Sequence, residues 1–116
     1  MNGQATVSKS YRRPYADPIR VTAGDCVFPD FDAPTNIPGW VWCSGPRGRQ
    51  GWTPRAWLEE KDGVWHITRD FDAIELSVTP GERVTLHFEH AGFHWLTTAD
   101  GRTGWVPSDH LAPDSG

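Results

Sequence analysis

The chain has 116 residues and a mass of 13.0 kDa, which allows one domain or two very small ones. Glycine and proline fill 22 positions (12 and 10), which excludes long helices, and no apolar run approaches the ~20 residues that span a bilayer. The net charge of −4 divides into +3 over residues 1–20 and −7 over the rest, an acidic body that lacks the clustered cations a phosphate backbone requires.

Residues 1–10 carry no apolar signal-peptide core and read as a flexible N-terminal segment. The expected location is therefore cytoplasmic, with neither nucleic acid nor membrane as a partner. Val21-Thr22-Ala23-Gly24-Asp25 holds a turn, because Gly-Asp lies between β-formers. A strand begins at Val27, and the Pro-rich stretch from Pro29 to Pro38 is a loop. Trp40-Val41-Trp42-Cys43 is the next strand, Pro46-Arg47-Gly48-Arg49 a tight hairpin, and Gly51-Trp52-Thr53 the returning strand. Pro54 stops it, since proline cannot donate to a central ladder, and a single helical turn follows around Trp57. The polar run Glu59-Glu60-Lys61-Asp62-Gly63 reads as a linker.

The second half repeats the first. GRQGWTPRAWL, from Gly48 to Leu58, returns as GRTGWVPSDHL from Gly101 to Leu111, six of eleven positions being identical at an offset of 53. The segment from Val21 to Val27 returns as Val78 to Val84 at an offset of 57, and Trp42 falls opposite Trp95. Each unit of about fifty residues reads as five short strands, the pattern of a small barrel or sandwich. The expected division is a first barrel over 11–59 and a second over 64–113.

In the second copy Glu75-Leu76-Ser77-Val78, Asp70-Phe71-Asp72 and Gly104-Trp105-Val106-Pro107-Ser108 carry a resemblance to the Src homology 3 (SH3) domain. Both copies resemble the bacterial variant SH3 type, which implies an all-β chain of two SH3-like five-stranded small barrels in tandem. The family binds proline-rich peptides in a groove lined by aromatic residues, a tryptophan and a proline. The resemblance places Tyr15, Val41, Pro54 and Trp57 in the first groove, with Trp40 close by. In the second it places Arg69, Phe71, His94, Pro107 and His110. The loop before Leu76 is about five residues shorter than the family's and keeps Asp72 and Glu75 as acids, with Asp17 in the first copy. Such a degenerate groove implies weak recognition of PxxP peptides, and copy one is expected to keep most of it.

Trp40 and Trp57 are candidate surface anchors or, equally, residues that seal the small barrels. Trp65 is either a strand residue or a wedge between barrels. His87, His90 and His94, with Glu89 among them, form a spacing that a small-ligand or metal site could use, although no fourth ligand is evident and none of these is expected to hold a metal. Cys26 and Cys43 are expected as free thiols. Ser44, Ser77 and Ser108 lack the glycine-flanked elbow of hydrolases, so no enzyme and no cofactor is expected. The reading that follows is a non-enzymatic interaction module for a protein or extended peptide.

Overall fold

Residues 3–14, 17–34 and 38–113 are described by a computed structural model, and their regular structure is short strands and single 3-10 turns. The strands are β1 (Gly3–Val7), β2 (Arg20–Val21), β3 (Cys26–Asp30), β4 (Trp40–Ser44), β5 (Gln50–Pro54) and β6 (Leu58–Lys61). They continue with β7 (Val64–Ile67), β8 (Phe71–Asp72), β9 (Arg83–His90), β10 (Phe93–Thr98), β11 (Thr103–Pro107) and β12 (Leu111–Pro113). The 3-10 turns Arg55–Trp57 and Ser108–His110 follow the two prolines that end β5 and β11. The chain is all-β, as its glycine and proline content requires, and its curled antiparallel sheets are compatible with small SH3-like barrels.

The repeat is visible atom by atom. Gly24 turns the chain at φ 92° and Gly81 at φ 94°, a conformation that costs glycine nothing. Asp25 N–H donates to Thr22 O at 2.9 Å, and Glu82 N–H donates to Thr79 O at 3.3 Å. Each acid also reaches back: Asp25 accepts from Thr22 N–H at 2.8 Å, and Glu82 accepts from Thr79 N–H at 2.6 Å. Trp42 is the register partner of Trp52 and Trp95 that of Trp105, with ring centroids 5.2 and 5.3 Å apart. Pro54 lies opposite Trp40, and Pro107 opposite Phe93.

The units do not follow the repeats. One compact unit joins Met1–Tyr15 to Glu75–Gly116, and the other is the continuous stretch Ala16–Ile74. In the split unit the sheet order is β11-β10-β9-β1-β12, so β1 lies between strands of the second repeat. In the continuous unit the order is β5-β4-β3-β7-β6, and β7 lies between strands of the first. Each repeat has given its first strand to the other.

The expected boundaries 11–59 and 64–113 are thereby corrected, and so is the flexible segment 1–10. Residues Gly3–Val7 form a central strand, with Ala5 and Val7 buried among Leu76, Val84, Leu96 and Val106. The expected linker is a hairpin. Asp62 and Gly63 turn at φ 54° and 78°, the pair of positive angles that an Asp-Gly two-residue turn requires, and β6 pairs with β7 across them. Trp65 is accordingly a strand residue, edge-on to Phe31 at 5.2 Å.

Candidate functional site

Each unit builds one aromatic corner from three places: the arm that was exchanged, the start of a central strand, and the 3-10 turn. In the continuous unit β8 brings Phe71 opposite Val21, β4 opens with Trp40, and the turn after Pro54 carries Trp57. The Phe71 ring meets Trp57 edge-on at 5.6 Å and Trp40 at 6.4 Å. The Arg69 guanidinium lies 4.3 Å over the Trp57 ring, a cation–π contact. Trp40, Trp57 and Phe71 are 5%, 7% and 5% exposed, and Pro54 is fully buried. The corner is filled and capped, so Trp40 and Trp57 seal it and are not surface anchors. Val41 is buried on the other face of its strand, and Trp40 occupies the place beside the proline.

The split unit repeats the geometry with polar residues. Tyr11 bridges to Val78, Phe93 opens β10 opposite Pro107, and the 3-10 turn carries His110. Tyr11 and His110 meet edge-on at 5.3 Å, the counterpart of Phe71 and Trp57. Tyr11, His94, Pro107 and His110 are each only half-buried. The Tyr11 hydroxyl donates to Glu75, and burial pushes the Glu75 carboxyl above its ordinary pKa, against the smaller opposing effect of that hydrogen bond. His110 Nδ1 lies 3.1 Å from Ser10 O and 3.4 Å from Lys9 O; both are acceptors only, so that nitrogen carries the proton. Ser108 Oγ donates to Glu89 at 2.9 Å, which leaves it to accept from His94 Nδ1 at 2.8 Å. A continuous polar and aromatic strip thus runs from Glu75 through Tyr11 and His110 to Ser108, His94 and Glu89.

The site residues named from the sequence are therefore regrouped. Phe71 stands with Trp40, Pro54 and Trp57, whereas His94, Pro107 and His110 stand with Tyr11. Tyr15 lies outside the described residues. Asp17 and Asp72, two of the acids that the shortened loops keep, are paired with Arg49 and Arg20 at 3.1 and 3.2 Å. Tyr11 was not singled out from sequence, although it lies sixty residues before Phe71 and would have emerged from aligning the arms. Among the described residues no group of three or more His, Cys, Asp or Glu side chains is gathered as a metal site. His87 is the extra residue of a bulge in β9 and bonds Thr97 Oγ1 at 2.8 Å, while His94 is held by Ser108. Cys26 and Cys43 are free thiols, Cys26 exposed and Cys43 buried, its pKa raised by that burial to about 11.

Residues 5–61 match the family model of the variant SH3 domain. That span takes β1 together with β2 to β6 and so crosses from the split unit into the continuous one. No curated protein and no solved structure matches the chain.

Proposed function

We infer an interaction role from residues 5–61, which match the variant SH3 domain, in general a protein-interaction module. We propose that the chain is a non-enzymatic interaction protein made of two SH3-like domains, and that the split unit binds an extended protein segment across Tyr11, His94, Pro107 and His110. The observation that carries this reading is the contrast between the two corners. One is closed by burial and by Arg69, and the other presents half-buried rings and a proline, with Glu75 bonded to Tyr11 and Glu89 to Ser108. A polar and aromatic strip that carries carboxylates suits a proline-containing segment with a basic residue. The free thiols fit a reducing compartment, which favours the cytoplasm. Among the described residues no helix is long and apolar enough to cross a membrane.

Imidazoles replace aromatic ridges here, and each lost ridge removes apolar area worth roughly 1–2 kcal/mol, so affinity for a simple peptide falls toward the millimolar range. A nuclear magnetic resonance titration with a proline-rich peptide carrying one arginine tests the reading. Shifts are expected at Tyr11, His94 and His110, and Tyr11→Ala should weaken them about ten-fold. Shifts centred on Trp57 and Phe71 would refute it.

A further inference from the structure

The two arms occupy equivalent slots, yet their side chains are not interchangeable. Val7 N–H donates to Glu82 O and Val7 O accepts from Gly81 N–H, and Ile67 makes the same pair of bonds with Asp25 and Gly24. This register aligns Val7 with Ile67, and with it Ala5 with Trp65, Ser10 with Asp70, Tyr11 with Phe71, and Arg12 with Asp72. Four consequences follow if each arm is returned to its own repeat. Tyr11 would find Pro18 where Glu75 now accepts its hydroxyl proton. Arg12 would face Arg20, which now pairs with Asp72 at 3.2 Å. Asp70, which now accepts from Ala23 N–H at 2.9 Å, would meet Pro80, which has no N–H. Trp65 would replace the fully buried Ala5, an overpacking that the closed core around Leu96 and Val106 does not accommodate.

We propose that the arms, residues 3–14 and 64–74, are recognition segments addressed to the opposite repeat, and that a second copy of this chain can accept an arm in place of the chain's own. Each of the contacts named above lies between an arm and its slot, and none of them depends on which molecule supplies the arm. What keeps the exchange within one chain is effective concentration, since each arm is tied to its slot by the chain itself, through the turn at Asp62 and Gly63 for residues 64–74 and through the continuous unit for residues 3–14. Chains refolded together at high concentration therefore form strand-exchanged dimers, a low-cost route to association.

Full-length chains carrying Cys26→Ser test this, with Cys43 left buried and its thiol neutral at working pH. Thr6 is the register partner of Ala112, and in unexchanged pairing it would face Glu59, the partner of His66. Thr6→Cys chains are unfolded and refolded with Ala112→Cys chains, or with Glu59→Cys chains, then oxidised and weighed under non-reducing conditions. The expected result is a covalent dimer at least ten-fold more abundant with Ala112→Cys, rising with concentration and absent when separately folded chains are mixed. A single chain carrying both Thr6→Cys and Ala112→Cys should close its own bridge, which shows that the substituted strands fold. Equal dimer yields, no dimer at any concentration, dimer from pre-folded chains, or failure of that bridge would each overturn the proposal.

Discussion

Trp57 and His110 occupy the same place in their 3-10 turns, and the difference between them sets the character of each corner. Trp57 is 7% exposed, against Phe71 on one side and Arg69 on another, so it serves the core. Trp57→Ala should cost about 3–5 kcal/mol of unfolding free energy in urea titration, the range for removing a buried aromatic side chain. A loss below 1 kcal/mol would mean that the ring is dispensable to the fold. Glu75 supplies a pH test. Its folded pKa is raised, so its protonated form is the one that the fold favours, and that contribution is lost as pH rises through the folded value. Glu75→Gln keeps an acceptor for Tyr11 without the charge. Its stability relative to the parent chain should therefore increase as pH rises from about 4 through the folded value, as followed by thermal melts. A constant difference over that window would show that burial does not govern this carboxyl.

The hairpin joining β6 to β7 carries more of the architecture than its length suggests. It turns two strands of the continuous unit back on each other where the polar composition of Glu59 to Gly63 reads as a boundary. Gly63, at φ 78°, is needed for that turn, and a Cβ there would meet no atom within 4 Å. The cost of Gly63→Ala is thus backbone strain alone, about 1–2 kcal/mol, measurable as a lower urea midpoint with an unchanged slope. A changed slope would indicate instead that β7 has left its sheet. The β9 bulge at His87 acts on a similar scale. It inserts one residue between the Leu86–Leu96 and Phe88–Trp95 pairs, and it ties His87 to Thr97 away from His94. A spacing that reads as a ligand cluster along the chain is thus dispersed by one bulged residue.

At the scale of the molecule, the continuous unit has a five-stranded sheet in which β7, the last of its strands in the chain, lies between β3 and β6, and its sequence falls between the two segments of the split unit. It contains its full five-stranded sheet in one stretch of chain. A fragment of residues 16–74 should unfold cooperatively, since many domains of about this size fold alone. A fragment of residues 1–61, which ends where the family match ends, lacks β7 and β8 and should not. Near-ultraviolet circular dichroism of the tryptophans during a melt distinguishes them. Cooperative unfolding of the second fragment alone would show that the repeat, rather than the exchanged unit, is the folding unit.

Much of this protein was legible without coordinates, because turns and stops are local. Gly24 and Gly81, the prolines after β5 and β11, and the Trp42–Trp52 and Trp95–Trp105 pairs all stand where their spacing implies. An all-β chain of short antiparallel strands required only the alternation of strands and the recurrence of their motifs. What the alternation could not determine was partner choice. β1 and β7 make equivalent backbone bonds in their respective slots, so local propensity is silent about which repeat receives which arm. That decision rests on the Tyr11 hydroxyl at Glu75, on Arg20 beside Asp72, on Asp70 at Ala23 N–H, and on the space that only Ala5 leaves. Each of these contacts joins residues some fifty to a hundred positions apart, and only the tertiary structure puts them in register. The two corners differ for the same reason: Phe71 joins the tryptophans, which bury it, and Tyr11 stands beside His110 and is only half-buried.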